Sequence, residues 1–321
     1  MGTRRSRGPG GRARFVHGRG AVNTTIPAFV NPASGSAAAA LGILEGDARF
    51  AVREVTPDAL PAAVRDAVAA GARRILVSGG DGTLGNAAGA LLGTGCEMAV
   101  LPGGTLNHFA RDVGLPRDDL AACVELAVSG DARPVDVGLV NGHVFLNTSS
   151  FGAYVTFVRA REGLEERMGY RAATVLATLR IWFNLSGFDV AVSDGESTRR
   201  FHTPLLFVGV GEREFERREM GARIAGGQRA LHMLVLRETA PARVLGRALV
   251  VLARGMRWLA ETESLEAELV PAFTARLRRP WGRVAVDGEL LRLRAPLEYS
   301  FVPDALRVVL PPPPEDAAPP A

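Results

Sequence analysis

Residues 75–86 read ILVSGGDGTLGN, an apolar run that breaks into a glycine-rich turn. Gly79, Gly80 and Gly82 allow backbone torsions that other residues avoid, and they let main-chain N–H groups approach an anion closely. The residues that follow can form a helix whose N-terminal end favours negative charge. Asp81 lies inside this turn, and its carboxylate would repel a phosphate unless a divalent cation lay between them. The loop therefore predicts Mg²⁺ and a nucleotide.

A second turn of similar composition supports this interpretation. Glycine turns are common, and an ordinary strand-to-helix turn would explain the first one equally well. Residues 101–112 read LPGGTLNHFARD, again follow an apolar stretch and again lead into a helical pattern. Two such turns at neighbouring strand ends are expected to face each other.

The two turns together resemble the lipid kinase superfamily that contains diacylglycerol kinases and sphingosine kinases. Its signatures are Gly-Gly-Asp-Gly-Thr, here Gly79 to Thr83, and Pro-x-Gly-Thr-x-Asn-Asp-Phe-Ala-Arg, here Pro102 to Arg111 with His108 replacing the usual acid. The first signature is shared with NAD kinases, and a similar one occurs in phosphofructokinases. The second is much more specific to the lipid kinases.

Other segments extend the resemblance over most of the chain. Residues 31–35, NPASG, resemble the family's opening nucleotide-site turn, and residues 145–152, FLNTSSFG, match the small-residue stretch that opens its second domain. Residues 286–289, VDGE, resemble its late catalytic segment. The resemblance also implies a nucleotide contact at Thr56.

These residues define a candidate site for phosphoryl transfer to an alcohol. Such a transfer needs a positioned γ-phosphate, Mg²⁺ to neutralise its charge and a base to accept the hydroxyl proton. Asp81 is suited to metal binding or to base catalysis, and the resemblance places the proton acceptor at Glu289. The cofactors expected are ATP and Mg²⁺, and the residues expected to contact the nucleotide are Asn31, Thr56, Ser78, Gly79, Gly80, Asp81, Gly82, Thr83, Leu84, Thr105 and Asn107.

The assignment of Glu289 has an alternative. The triplet Asp287-Gly288-Glu289 also makes a good hairpin turn, with both acids in solvent. Asp194-Gly195-Glu196 is a second such triplet, and we interpret it only as a turn. Glu289 is preferred as the base because it follows an apolar run near the end of the chain, where relatives carry theirs.

The chain departs from the family at a second metal site. Relatives commonly carry Asp-Gly-x-Leu before the strand equivalent to Leu231–Leu236, and that carboxylate belongs to a Mg²⁺ site that helps to order the protein. Here Gln228 replaces the acid and Arg229 follows it. We expect this structural site to be weakened or absent. The charged stretch 212–221 also differs from the glycine-rich version in several relatives. The resemblance therefore leaves open which substrate accepts the phosphate.

Composition excludes several other classes of protein. All 38 basic residues are arginine, so neither the lysine of a Walker loop nor that of a protein kinase is present. The net charge of +4, the 6% of aromatic residues and the absence of base-stacking patterns predict no nucleic-acid partner. Cys96 and Cys123 lie in apolar surroundings and are expected to be buried, reduced thiols.

The pattern of apolar runs predicts two domains. Residues 24–134 alternate short apolar runs with helical patterns, which is typical of an α/β nucleotide-binding domain with a parallel sheet, as in the NAD kinase and diacylglycerol kinase fold. Residues 135–304 contain many short strand-like runs, which predict an antiparallel domain that in the family is a β-sandwich and carries the lipid substrate. Residues 305–310 are expected to return to the first domain.

The two ends are predicted to lie outside the folded domains. Residues 1–23 read as a disordered basic arm and residues 311–321 as a disordered proline-rich tail. Helical patterns at residues 170–185 and 244–260 are amphipathic, which suits a membrane-surface helix and equally any helix on a globular core.

The expected partner is a lipid met at a membrane surface. No window reaches the roughly 18 uncharged apolar residues that span a bilayer, so we expect a cytoplasmic protein that associates peripherally with membrane. The favoured activity is conversion of diacylglycerol to phosphatidic acid. An NAD kinase and a catalytically silent nucleotide- or lipid-binding protein on the same scaffold are the alternatives, and a homodimer is kept as a hypothesis.

Overall fold

A computed structural model describes residues 25–152, 187–195, 197–214, 221–237 and 265–312. The predicted basic arm, residues 313–321 of the predicted tail and the two helical patterns at 170–185 and 244–260 lie outside the described residues.

The first part of the chain forms a parallel sheet with helices on both faces, as predicted. Strands β2, β1, β3 and β4 lie side by side in that order and pair in parallel. The elements are β1 (Ile26–Val30), α1 (Ala37–Leu44), β2 (Phe50–Glu54), α2 (Leu60–Ala69), β3 (Arg74–Gly79), α3 (Asp81–Leu91), β4 (Glu97–Pro102), α4 (His108–Asp112) and α5 (Leu120–Ser129).

Apolar side chains on both faces of β3 explain why this segment is a central strand. Ile75, Leu76 and Val77 are fully buried, as expected for a strand that is covered on both sides. Helices α2 and α3 pack on one face of the sheet, and α1 and α5 on the other. The glycine turns follow the carboxyl ends of β3 and β4, where ligands bind in sheets of this kind.

Both cysteines lie within this α/β region. Cys96 and Cys123 are free and buried, as predicted. Burial raises the pKa of each thiol to about 11, so both are protonated at neutral pH.

The second part of the chain forms two antiparallel layers, which confirms the predicted fold class. One layer continues the first sheet through β16, β13, β8 and β9, with β5 paired to β16 and β6 paired to β5. The other layer has the order β12-β11-β10-β7-β14-β15. The apolar faces of both layers share one core. The strands are β5 (Asp131–Val140), β6 (His143–Phe145), β7 (Thr148–Gly152), β8 (Phe188–Ser193), β9 (Thr198–Thr203), β10 (Leu205–Val210), β11 (Leu231–Leu236), β12 (Leu265–Val270), β13 (Ala272–Leu277), β14 (Trp281–Val286), β15 (Glu289–Arg294) and β16 (Leu297–Leu310).

The long strand β16 connects the two parts of the fold. Its first half pairs with β13, whereas Arg307 and Val308 pair in parallel with β4. Its pairing with β5 shifts register between Val302 and Leu306. Strand β5 crosses the boundary predicted between residues 134 and 135, so one continuous sheet runs through both domains.

A cluster of charges lies at this register shift. Asp136 of β5 is buried and accepts hydrogen bonds from Arg223 (2.6 Å), from Arg229 and from the backbone N–H of Asp304 (3.1 Å). Arg229 also pairs with the carboxylate of Asp304 at 2.7 Å. Burial acts to raise the pKa of Asp136, but the hydrogen bond from Arg229 and the other contacts outweigh it and hold that pKa below its usual value.

The residues around Gln228 do not fit the structural metal site of the family. The guanidinium of Arg229 lies on the carboxylates of Asp136 and Asp304. The backbone N–H of Gln228 donates to Glu212 at 2.9 Å. The positively charged side chain of Arg229 therefore ties this loop to β5 and β16.

The β14–β15 turn is fastened to the connection between β6 and β7. Asp287 and Gly288 have φ angles of 46° and 91°, which suit a tight two-residue hairpin turn. The Asp287 carboxylate accepts N–H bonds from Leu146 (2.6 Å), Asn147 (2.9 Å) and Thr148 (2.9 Å). Its exposed fraction is only 8%, so the alternative with both acids in solvent is wrong for Asp287.

Substitution of Asp136 by Asn tests the charge cluster. Loss of the charge leaves two guanidinium groups facing each other without their shared anion, and we expect the free energy of unfolding to fall by about 2 kcal/mol. Urea denaturation measures this change. Asp118→Asn, at an exposed aspartate before α5, is the matched control and should be neutral.

Chelation tests whether an ion takes part. Because Arg229 occupies the carboxylates, EDTA should leave the thermal midpoint of the wild-type protein unchanged. A midpoint that falls with EDTA and recovers with Mg²⁺ in both the wild type and Asp81→Asn would contradict the assignment of Arg229.

Stability should depend on pH through Asp287. Burial raises the pKa of Asp287 to about 7, although the three backbone N–H donors oppose the shift. Between about pH 4 and pH 7 the folded protein then holds a proton that the unfolded chain has lost, so stability falls as the pH rises. We expect wild-type stability to fall more steeply than that of Asp287→Asn, by about 1.4 kcal/mol per pH unit. Parallel curves for the two proteins in chemical denaturation would refute this.

Candidate active site

The two glycine turns are in direct backbone contact, which confirms that they face each other. The N–H of Gly103 donates to the carbonyl of Gly79 at 2.9 Å. A Cβ added to Gly104 would lie 2.7 Å from the Cα of Gly80, and one added to Gly103 would lie 2.9 Å from the Cα of Gly79. No side chain fits between the turns, so the glycines at this contact are required by close approach.

Helix α3 begins at the first turn. Gly80 is its N-cap residue, with an extended backbone, and its carbonyl accepts the N–H of Leu84 at 3.0 Å. The N–H groups of the first helical turn have no acceptor within the helix and point toward the glycine turns. This end of the helix therefore presents donors and positive potential to an anion.

Residues at the end of β1 support the first turn from inside. Asn31 is 8% exposed, and its side-chain amide donates to the Thr83 hydroxyl at 2.9 Å. The backbone N–H of Asn31 donates to the carbonyl of Ser78 at 3.0 Å. A Cβ on Gly79 would lie 2.6 Å from the Thr83 side chain. The structure thus brings Asn31, Ser78 and Thr83 together, and the Asn31 side chain is directed at the turn and holds its shape.

Asp81 joins the two signatures. Its carboxylate accepts the backbone N–H of His108 at 3.0 Å and that of Phe109 at 2.9 Å, and so it caps α4. The sequence predicted a metal-binding or basic role and did not reveal this cap. Each oxygen keeps a free lone pair, and Mg²⁺ in nucleotide sites takes only one or two carboxylates together with phosphate oxygens. Asp81 therefore fits the ion that the glycine turn predicts.

The second turn is held by its own asparagine. Asn107 has a φ of 47°, accepts the N–H of Gly104 at 2.8 Å and donates to the Gly104 carbonyl at 2.7 Å. These bonds close the turn and leave Thr105 exposed at its tip. Thr105 is accessible to a ligand, whereas Asn107 shapes the backbone.

Thr56 lies at the same edge of the sheet as Asn31. Val55 donates its N–H to the carbonyl of Val30 at 2.9 Å, which places the end of β2 beside that of β1. The Thr56 carbonyl accepts N–H bonds from Ala59 and Leu60 and starts α2. Its side chain is exposed.

Glu289 lies against α3 close to the first turn. It is the first residue of β15, and its carboxylate contacts the backbone position of Gly82, where a Cβ would lie 2.6 Å from the Glu289 Cγ. Asn86, one turn further along α3, donates to Glu289 at 3.4 Å. Burial raises the pKa of Glu289, and the bond from Asn86 only partly opposes this. A half-buried carboxylate beside a phosphate-binding turn is suited to accept a proton.

Glu289 borders a groove of about 190 Å³. Helix α2, helix α3, the β5–β6 turn and the β14–β15 hairpin form its walls. Its lining includes Arg65, Gly85, Gly89, His143 and Leu291.

The sequence did not identify Arg213 as part of this region. Its guanidinium is fully buried and donates to the carboxylate of Asp112 (2.7 Å) and to the carbonyls of Asn147 (2.9 Å) and Val210 (3.0 Å). Burial lowers the pKa of Arg213, while the adjacent Asp112 opposes this. The side chain links the end of α4 to the second domain. The only sequence signal for Arg213 is the high density of charged residues over 212–221.

The described residues hold no cluster of three or more His, Cys, Asp or Glu side chains that could bind a metal without a ligand's help. Among the helices that the structure describes, none is long and apolar enough to cross a membrane.

Known proteins resemble the chain in sequence and in fold. The family described as "Diacylglycerol kinase catalytic domain" matches residues 26–140. The "Probable lipid kinase YegS-like" of Pseudomonas aeruginosa (strain UCBPP-PA14) is 31% identical over 318 residues, which cover 92% of this chain and 93% of that protein. The "Diacylglycerol kinase" of Bacillus subtilis (strain 168) is 40% identical over 80 residues, 24% of this chain and 26% of that protein.

A solved structure shows the same fold. A crystal structure of diacylglycerol kinases from Bacillus anthracis str. Sterne has a TM-score of 0.61 and 17% sequence identity, and the match covers 90% of this chain and 97% of that one. The sequence match to the P. aeruginosa protein extends over nearly the whole chain, and it confirms the resemblance drawn from the two glycine signatures. The chain therefore belongs to the family of diacylglycerol kinase-like lipid kinases.

Proposed function

We propose that this enzyme transfers the γ-phosphate of ATP, with Mg²⁺, to the hydroxyl of diacylglycerol and releases phosphatidic acid. One observation carries the proposal. The half-buried carboxylate of Glu289 lies on Gly82, in the first turn of the helix that starts at the glycine turn. The proposed proton acceptor therefore lies against the first turn of the helix that would bind the phosphates.

Each part of the site has a distinct task in this reaction. Backbone N–H groups of the two glycine turns hold the phosphates, and Thr105 at the exposed tip contacts the nucleotide. Mg²⁺, when bound with ATP, neutralises charge on the phosphates, and Asp81 would hold it. Glu289 accepts the proton of the lipid hydroxyl, and Asn86 orients its carboxylate.

The choice of acceptor is supported by the relatives and by the second signature. One relative is named a diacylglycerol kinase, and Asn107-His108-Phe109-Ala110-Arg111 argues against an NAD kinase. The enzyme would then meet its substrate peripherally, at a membrane surface. Gln228 makes a catalytically silent protein the alternative, and the structure places the ion pairs of Arg229 with Asp136 and Asp304 beside it.

Glu289→Gln should remove most of the activity and leave the fold intact. Glutamine keeps the size of the side chain but cannot accept the proton, so we expect kcat to fall by about 10² to 10⁴. Glu298→Gln, at an exposed glutamate of β16, is the matched control. Near-normal turnover of Glu289→Gln would remove Glu289 from the role of base.

The pH profile tests the same role independently. The base must be ionised to act, and burial raises the pKa of Glu289 above its ordinary 4.5. Activity should therefore fall as the pH decreases through this raised pKa, with an acid limb above pH 4.5. The wild-type profile of kcat between pH 4 and pH 9 measures it, and a flat profile would contradict it.

Labelled ATP distinguishes the three candidate functions. Purified protein is incubated with γ-labelled ATP, Mg²⁺ and mixed micelles containing diacylglycerol, or with NAD in a parallel tube. Label in the organic phase supports the proposal, label only with NAD shows an NAD kinase, and no label in either tube supports a silent binding protein. Asp81→Asn should abolish transfer, and its thermal midpoint shows how much of the loss comes from the cap on α4.

A further inference from the structure

We infer that the outer face of the β14–β15 hairpin is a docking surface for a membrane that carries anionic lipid. This inference rests on the proposed function, because it assigns the surface through which the enzyme reaches a lipid substrate. The surface consists of one tryptophan and five arginines, which together we call the arginine patch: Trp281, Arg278, Arg279, Arg283, Arg292 and Arg294.

The pairing of β14 with β15 places four of these side chains on one face of the sheet. Trp281 lies directly opposite Arg294. Arg283 lies directly opposite Arg292, two residues further along each strand. All four side chains are exposed, whereas the residue between the two members on each strand is buried. Because alternate residues of a strand point to the same side, the four form one continuous outward face.

The charge of the patch is not balanced by acidic side chains. Arg283 and Arg292 are like charges in directly opposed positions, an arrangement that destabilises a sheet. Between residues 278 and 294 the acids are Asp287 and Glu289, at the opposite end of the hairpin. None of the five arginines forms an ion pair with another residue that the structure describes. The stability of the fold does not account for this cluster, whereas an anionic partner would neutralise it.

Trp281 gives the patch an apolar anchor. Its side chain is 47% exposed, and the guanidinium of Arg292 lies 5.3 Å from the centroid of its ring. Tryptophan is enriched where a protein surface meets the boundary between lipid headgroups and water. Arginine can bind the phosphate of a headgroup through two parallel hydrogen bonds. A single aromatic side chain among cations favours a bilayer over a single-stranded nucleic acid, which stacks its bases on several aromatic rings.

Protection of the sheet edge explains only part of the patch. Strand β15 is the last strand in the order of its sheet, and charged side chains on an edge strand prevent pairing with another chain. Strand β14 lies between β7 and β15, so Trp281 and Arg283 protect no edge. The part of the patch on β14 therefore needs another role, and membrane docking supplies it.

The patch lies near the proposed base but does not belong to its site. Arg292 is three residues along β15 from Glu289, about 10 Å at a rise of 3.3 Å per residue. The odd spacing directs the two side chains to opposite faces of the hairpin. A bilayer on the patch would therefore lie beside the hairpin that carries the base, and substitutions in the patch leave the carboxylate of Glu289 in place.

The triple variant Arg283→Gln/Arg292→Gln/Arg294→Gln tests the inference. We expect its affinity for vesicles of equal parts phosphatidylcholine and phosphatidylglycerol to fall about 10²-fold, since each arginine near an anionic surface contributes about fivefold. Removal of the opposed like charges should leave the thermal midpoint unchanged or higher, so the fold is retained. Co-sedimentation with the vesicles, without ATP or diacylglycerol, measures the affinity.

Arg73→Gln/Arg117→Gln/Arg200→Gln is the matched control. It removes the same charge from three exposed arginines outside the patch, and its affinity for the vesicles should stay within about twofold of wild type. The wild-type protein should bind more weakly in high salt and to vesicles of phosphatidylcholine alone. Equal vesicle affinities of the patch variant and the control variant would overturn the inference. Tighter binding of the wild type to a nucleic-acid strand than to the anionic vesicles would overturn the choice of partner.

Trp281→Ser tests the anchor separately. When the wild-type protein binds the vesicles, its indole emission should shift to shorter wavelength, because Trp281 leaves water for the headgroup region. The shift should be smaller in Trp281→Ser. An identical shift in the two proteins would show that Trp281 stays in water and would contradict its role as anchor.

A soluble acceptor separates this inference from the proposed function. The triple variant should phosphorylate a short-chain diacylglycerol, dissolved as monomers, within about twofold of the wild-type rate, because the patch touches neither Glu289 nor the glycine turns. Its turnover of long-chain diacylglycerol in the vesicles should fall together with vesicle binding. Absence of turnover of both acceptors by the wild-type protein would refute the proposed function, and vesicle binding would still decide the docking surface.

Discussion

The close backbone contact between the two glycine turns is the constraint on which the site depends. Gly79 and Gly103 share a hydrogen bond, and Gly80 and Gly104 are too close for any side chain between them. Parallel pairing of β3 and β4 brings their carboxyl ends to the same edge and makes this contact possible. Without it, the donors at the start of α3 and the exposed tip of the second turn would not converge on one ligand.

Three ionisable side chains then fix this region, and two of them link it to the second domain. Asp81 caps α4, Asp287 fastens the β14–β15 turn to the β6–β7 connection, and Arg213 links the end of α4 to β10. Each of these groups is satisfied mainly by backbone atoms or by an opposite charge, as a polar group out of water requires. Their partners lie far away in sequence, so they join segments that strand pairing alone does not hold.

The distance in sequence between interacting residues determines which features could be predicted. The parallel sheet, the antiparallel region and the contact of the glycine turns follow from local apolar patterns and turn residues, and all were confirmed. The cap made by Asp81 and the role of Arg213 could not be predicted, because a sequence does not show which distant N–H or carboxylate a charged side chain will meet. The burial of Asp287 could not be predicted for the same reason, since a hairpin triplet has the same local pattern whether its acid is buried or exposed.

The turn that carries Asp287 also determines the chemistry available to Glu289. Because three backbone N–H groups hold the Asp287 carboxyl, the start of β15 has one position, and that position sets Glu289 on α3. Burial raises the pKa of both acids. A carboxylate with a raised pKa is a stronger base than one with an ordinary pKa. It stays ionised near neutral pH only if the increase in its pKa is moderate. Asn86 contributes to that balance, because its amide hydrogen bond favours the ionised form of Glu289.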